Sequence, residues 1–286
     1  MKTREATYSV QAVGSVRSSD EAGNDRVAKG RSLECRGERE QQVEPPSVAD
    51  LETKLHRITE LVKTSKEAKV NNVMHLLGEV SFLEQCFALL KRGKAPGVDE
   101  VTAEMYEANL EGNLSGLVAR MKRWSYRPQP VKRVYIKKAN GKMRPLGIPA
   151  MEDKVVQMGV HRILEAVYEP GFLDCSYGFR PGRNCHQAVN ALDKMVMKQP
   201  VNFVIDADIK GFFDNVSHEW MLKFLGHRVQ DKKLLRLVRR ILMSGVEEEG
   251  RVTPSVKGTP QGGIVSPLLA NLYLHFVLDL WMEKRV

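Results

Sequence analysis

At 286 residues, with 42% hydrophobic and 28% charged side chains, the chain is an ordinary candidate for a soluble globular protein of one or two domains. Its net charge of +9 is uneven, because residues 1–50 hold 8 Lys/Arg against 9 Asp/Glu and leave a net +10 on the remainder, a surplus suited to a polyanionic partner. Four scattered cysteines without a CxxC pair give no sign of a zinc module or disulfide scaffold, and the start MKTREATYSV lacks the apolar core of a secretory signal, so a reducing, cytoplasmic setting is expected.

Residues 1–50 are polar, end in Glu44-Pro45-Pro46, and read as a disordered arm. Leu51, Leu55, Ile58 and Leu61/Val62 then fall at helical spacing. A second helix is predicted over Phe82–Leu90, halted by the loop Lys91–Gly97, and a third over Met105–Trp124. The period changes at Val131–Lys138 and Met143–Ile148, two strands joined at Asn140-Gly141. Six cations (Lys132, Arg133, Lys137, Lys138, Lys142, Arg144) make that hairpin densely basic. Glu152–Tyr168 reads as a helix ended by Pro170-Gly171, and another is expected at His186–Met197.

Val201–Ala207 looks like a strand. Ser217 can cap a helix through Leu225, and Asp231 another, with Leu234, Leu235, Val238, Ile241 and Leu242 on one face and Gly245 at its end. A hairpin is expected near Glu249-Gly250, and Ser266-Pro267 reads as an N-cap followed by proline at the first helical position. The apolar stretch Ile264–Met282 is interrupted by Pro267, Asn271, His275 and Asp279, which fits a buried helix better than a membrane span. Helices mixed with antiparallel hairpins indicate an α+β fold.

Candidate chemistry centres on Phe203–Asp214 and Gly258–Leu274. Nucleotidyl transfer relies on positioning and on metal charge, with two Mg²⁺ ions roughly 4 Å apart held by hard oxygen ligands. Asp208 ends the apolar run Phe203-Val204-Ile205, and Asp206 shares its strand face. Two solvated strand-end acids would look the same. An aromatic just past Asp208 can underlie a deoxyribose and exclude a 2′-hydroxyl, or Phe212 and Phe213 are both core, the reading preferred for Phe212; Asp214 reads as a cap.

The turn Gly258–Gly263 lacks the form and the lysine of a phosphate-binding P-loop, and it presents Gln261 at its tip. Lys138 and Arg144, across the hairpin turn, can hold a triphosphate, or the hairpin is simply a soluble surface. Arg180, Arg183 and His186 beside Tyr177 and Phe179 form a basic patch of the kind that grips RNA. Asn271, His275 and Asp279 make one polar stripe, facing solvent or a cleft, with solvent preferred.

From about Leu51 to Val286 these segments resemble, in order, the reverse transcriptases encoded by group II introns. The resemblance is carried by KAPGVDEVT (Lys94–Thr102), RPLGIP (Arg144–Pro149), SYGFRPGRNCHQAV (Ser176–Val189), ADIKGFFDNVSH (Ala207–His218) and GTPQGGIVSPLLANLYL (Gly258–Leu274). It implies a right-hand polymerase: N-terminal helices and fingers over 51–200, and a partial, truncated palm over 201–286. By the same resemblance Asp208 is a catalytic, metal-binding aspartate and the Ile209 carbonyl a second metal contact. Lys138, Arg144, Phe213 and Gln261 are implied to bind the nucleotide.

The implied cofactor is Mg²⁺, as a pair of ions in the complete enzyme. The implied partners are an RNA template, intron RNA, a DNA primer and dNTPs, with no membrane. The implied function is RNA-directed DNA synthesis with a role in intron splicing and mobility, the alternative being a non-catalytic intron-RNA-binding splicing factor. The family's aromatic-x-Asp-Asp segment is absent, and no Asp-Asp pair occurs in the chain. The chain alone is therefore expected to be inactive.

Overall fold

The computed structural model describes residues 48–65, 67–137 and 141–285. The arm expected over 1–50 lies outside these residues except for Val48–Asp50, which open the first helix.

The centre of the molecule is helical. α1 (Val48–Thr64) and α2 (Val80–Ala88) pack against α5 (Met151–Tyr168), and α4 (Leu110–Lys122) packs on α2. α5 is buried along most of its length because Val155, Val156, Val160, Ile163, Leu164 and Val167 surround it with apolar surface. Its Gly159 lets α2 and the preceding turn approach, since a Cβ there would lie 2.4 Å from Leu77 Cδ2. On α1, Val62 is buried and Leu61 exposed, which resolves the choice left open by the spacing.

The single helix expected over Met105–Trp124 is two, α3 (Ala103–Glu107) and α4. The chain breaks at Asn109, whose backbone (φ −136°, ψ 51°) leaves the helical region.

Four strands form one sheet in the order β2-β1-β3-β4. β1 (Val131–Lys137) and β2 (Met143–Ile148) are the predicted basic hairpin, antiparallel with Ile136 opposite Arg144. Asn140 of its turn lies outside the described residues; Gly141 has φ +79°. β3 (Val246–Glu248) runs parallel to the start of β1, and β4 (Arg251–Thr253) returns through Glu249-Gly250. Both of those turn residues have positive φ (50° and 77°), the turn that matches strand twist.

α6 (Cys185–Lys198) begins with a capping box in which Asn184 and Gln187 bond each other's backbone amides, yet none of its residues is buried. α7 is the single turn Phe212–Asn215. α8 (His218–Arg228) is capped by Ser217 Oγ, and α9 (Lys232–Leu242) by Asp231 Oδ1, which accepts from the Lys233 and Leu234 amides. Asp231 Oδ2 also accepts from Met74 N, tying α9 to the helical centre.

α10 (Ser266–Leu274) continues through a π-helical turn (His275–Asp279) into α11 (Leu280–Arg285). The buried-helix expectation holds for α10, whereas Val277, Leu278, Trp281 and Met282 beyond it are exposed. Among the described residues no helix is long and apolar enough to cross a membrane.

The mixture of helices and a largely antiparallel sheet is the α+β class expected. One element differs. Val201–Ala207 is irregular, with Phe203 90% and Ile205 91% exposed. The run has the apolar residues of a strand, but no described strand lies beside it to take its hydrogen bonds, and a strand forms only with a partner.

Candidate functional site

Three segments distant in sequence are tied together by backbone hydrogen bonds. Thr259 N donates to Phe213 O (2.8 Å) and Gly258 N to Val216 O (2.7 Å), fixing the 258–263 turn on α7. Gly147 N of β2 donates to Gln261 O (2.6 Å), fixing the same turn on the hairpin. His218 Nε2 donates to Gly258 O (2.6 Å), which sets the imidazole's proton on that nitrogen.

Two of the glycines are required by this closeness. Gly258 has φ +85° and a Cβ there would stand 2.8 Å from Phe213 O; Gly262 has φ +109° and would meet Gly147 O at 2.7 Å.

The turn is braced from behind. The Thr259 hydroxyl donates to Ser266 Oγ (2.8 Å), which donates to Pro260 O (2.9 Å). Ser266 was expected to be an N-cap; it is instead the first residue of α10, preceded by Val265, and its side chain serves the turn. Gln157, buried in α5, accepts from Ile264 N (2.9 Å). Sequence reading missed Gln157. The available signal was an amide at a position where the periodicity of α5 demands an apolar residue.

Within this frame the expected nucleotide-binding residues fall as follows. Arg144 is exposed, and its Nε donates to Gln261 Oε1 at 3.3 Å, so hairpin and turn also meet through side chains. Phe213 is half-buried with its carbonyl held by Thr259, while Phe212 packs on the core and meets Tyr273 edge-on. Lys138 lies outside the described residues.

Asp208 and Ile209 stand exposed just before α7, and among the described residues no hydrogen bond or ion pair holds the Asp208 carboxylate. Asp214 is exposed and borders a cavity of about 660 Å³ shared with Arg133, Glu248 and Lys257. A second cavity, about 770 Å³, lies between the hairpin (Val134, Ile136, Leu146), α5 and the Gly262 turn, with Lys91, Lys94 and Lys154 at its edge. Burial lowers the Lys154 pKa, and its ammonium donates to Ala95 O (2.8 Å).

The expected Mg²⁺ pair does not fit what these residues supply. Among the described residues no group of three or more His, Cys, Asp or Glu side chains converges as a metal site. A two-ion centre needs more negative oxygen than that.

The basic patch needs correcting. Arg180 is buried and does not present itself to RNA: its guanidinium donates to Glu169 (2.9 Å), Leu173 O (2.6 Å) and Ser176 O (2.8 Å) and lies over the Phe172 ring. Arg183 pairs with Asp174 and stacks on Tyr177, and His186 is exposed on the first turn of α6. The polar stripe preferred for solvent turns inward. Asn271 donates to Gly178 O (2.6 Å), and buried His275 sits edge-on to Phe172 and 3.6 Å from Asp279.

The model of the reverse transcriptase (RNA-dependent DNA polymerase) family matches residues 136–285, which hold the end of β1, β2, α7 and the 258–263 turn. The chain is 40% identical over 198 residues to the group II intron-encoded protein LtrA of Lactococcus lactis, covering 68% of this chain and 32% of that one. It is 33% identical to the protein YkfC of Escherichia coli, covering 78% and 60%, and 39% identical to an uncharacterized 91 kDa protein in the cob intron of Schizosaccharomyces pombe, covering 59% and 20%. The chain thus spans about a third of the length of LtrA. With a family match over half its length, on the segments that the backbone bonds bring together, the chain belongs to the reverse transcriptase family, in its group II intron-encoded branch.

Proposed function

We propose that this chain forms the fingers (51–200) and the leading part of the palm (201–286) of an RNA-directed DNA polymerase. In it Arg144, Gln261 and Phe213 seat the incoming dNTP. The observation that carries this reading is the set of backbone bonds joining Phe213, Gly258, Gln261 and Gly147, which makes one rigid cradle from three segments. Arg144 offers a planar, permanently charged donor to a triphosphate, and its bond to Gln261 orients it in the absence of nucleotide. Lys138 belongs to the same proposal by its place across the turn. Phe213, held by its carbonyl, sets the depth of the sugar pocket. The apolar cavity rimmed by Lys91, Lys94 and Lys154 takes the template strand, bases against Val134 and Ile136 and phosphates on the lysines.

Asp208 and the Ile209 carbonyl are proposed as part of a Mg²⁺ donor set that this chain does not complete, so the 286 residues do not extend a primer alone. RNA template, DNA primer and dNTPs are the proposed partners. A cytoplasmic setting is supported by the free thiols Cys86, Cys175 and Cys185. The splicing-factor reading has its own support, since a basic chain without a cluster of three metal-ligating side chains among its described residues suits RNA binding without synthesis.

The test measures binding of a labelled RNA template–DNA primer duplex, its tightening by the matched dNTP, and primer extension. Binding that dNTP tightens, with no extension, is the expected result. Duplex binding with no dNTP effect selects the splicing-factor reading, and robust cDNA synthesis overturns the proposed incompleteness.

A further inference from the structure

One face gathers cations that no acid among the described residues pairs with. α9 carries Lys232, Lys233, Arg236, Arg239 and Arg240 within eleven residues. Its apolar side (Leu234, Leu237, Val238, Ile241) is buried, which presents Lys233, Arg236 and Arg240 to Trp124 and the loop leaving α4. Lys233 Nζ, Arg236 Cζ and Arg240 Cζ stand 5.9, 5.8 and 5.4 Å from the centre of the Trp124 ring.

The arrangement is fixed by backbone. Arg127 Nη1 donates to Trp124 O (2.8 Å) and Tyr126 O (3.0 Å), and Arg240 Nη1 donates to the same two carbonyls (3.5 and 3.1 Å). Trp124 is held at φ +60°, a conformation non-glycine residues seldom adopt.

Among the described residues, no carboxylate lies within ion-pair distance of Arg127, Lys233, Arg236 or Arg240. The neighbouring acids are turned inward: Asp153 accepts from Tyr126 OH and Gln129 N, and Asp231 from Met74, Lys233 and Leu234 amides. Glu79 borders a hollow of about 260 Å³ with Lys122, Trp124 and Lys233 but pairs with neither lysine. Burial, then the charges of Arg127 and Arg236, push the Arg240 pKa down.

We propose that this cluster docks the phosphate backbone of a base-paired RNA, at a site separate from the dNTP cradle. The inference rests on the RNA reading above. From Lys233 to Arg240 the helix rises roughly 10 Å, too long for one phosphate and matched to several along a strand. The cluster lies at the loop leading into β1, whereas Arg144 sits opposite Ile136, five residues or roughly 16 Å along that strand from Val131. Cations without base-reading partners hold a backbone without regard to sequence. DNA shares that chemistry, so the test carries both polymers.

The experiment follows fluorescence anisotropy of an RNA hairpin and a DNA hairpin of equal sequence, titrated with the full chain between 50 and 300 mM salt. The double variant Lys233→Gln/Arg236→Gln removes two cations whose side chains make no hydrogen bond to the described fold, and thermal melting checks that it folds. RNA affinity should fall roughly 10- to 60-fold at 0.1 M salt, with the log–log salt slope shallower by roughly 1.5 to 2. The charge-keeping Arg236→Lys should stay near wild type, and Arg144→Gln should weaken a template–primer duplex with dNTP while sparing the hairpin. Unchanged RNA binding by the double variant, whether or not DNA binding falls, overturns this site and leaves the polymerase reading standing. A wild-type chain that binds no RNA overturns both.

Discussion

Replacing Gly262 by alanine tests the cradle most directly. At φ +109° a Cβ costs on the order of 1–3 kcal/mol in backbone strain. That Cβ would also stand 2.7 Å from the Gly147 carbonyl, a backbone atom that cannot swing aside, so the turn must draw away from β2. Doing so lengthens the 2.6 Å Gly147–Gln261 bond, worth about 1 kcal/mol. Together these put the loss at about 3 kcal/mol, a fall in melting temperature of roughly 6–12 °C for a domain of this size.

Gly250→Ala is the internal control: φ is +77° there, but nothing lies within 4 Å of the added carbon, so only the backbone strain remains. Urea unfolding followed by circular dichroism compares the two. The Gly262 variant should lose more stability by at least the worth of the lost bond, and dNTP should no longer tighten template–primer binding. Equal losses at the two glycines would refute the claim that close approach between turn and hairpin holds the site.

Arg180→Ala should cost about 3 kcal/mol, because it leaves part-buried Glu169 without its partner, whereas Arg183→Ala, at an exposed pair, should cost under about 1 kcal/mol; urea midpoints separate them. Burial raises the Asp153 carboxyl to about 6, above its ordinary 3.8, so the folded state holds this proton more tightly than the unfolded one. Its favourable contribution is complete below about pH 4 and is lost as pH rises through 6, a swing of about 3 kcal/mol that should vanish from the stability profile of Asp153→Asn. Phe203→Ser/Ile205→Ser should suppress self-association in light scattering without lowering the unfolding midpoint, since neither side chain is packed.

What could be read from the sequence was what near neighbours decide. Asp231 and Gly245 mark α9 because a cap and a left-handed terminus act within one turn of the helix, and the β1–β2 hairpin follows from alternation about a short turn. Arg144 and Gln261 were named as site residues by resemblance. That they touch depends on a register spanning 117 residues, which no local pattern contains.

The misreadings share that cause. Arg180 looks like an RNA contact until Glu169 and two carbonyls close around it, and Asn271 looks solvated until Gly178, 93 residues away, takes its amide proton. The run Val201–Ala207 has strand residues but lacks a strand, since apolar alternation supplies only half of a ladder. A segment so written is specified for a partner, and Asp208 directly follows it. The same pairing that would order the backbone from Phe203 to Ala207 would therefore also fix where that carboxylate points. A strand added in trans that protects the Val204–Asp206 amides from hydrogen exchange should also raise Mg²⁺ affinity at Asp208, and protection without that gain would separate the two.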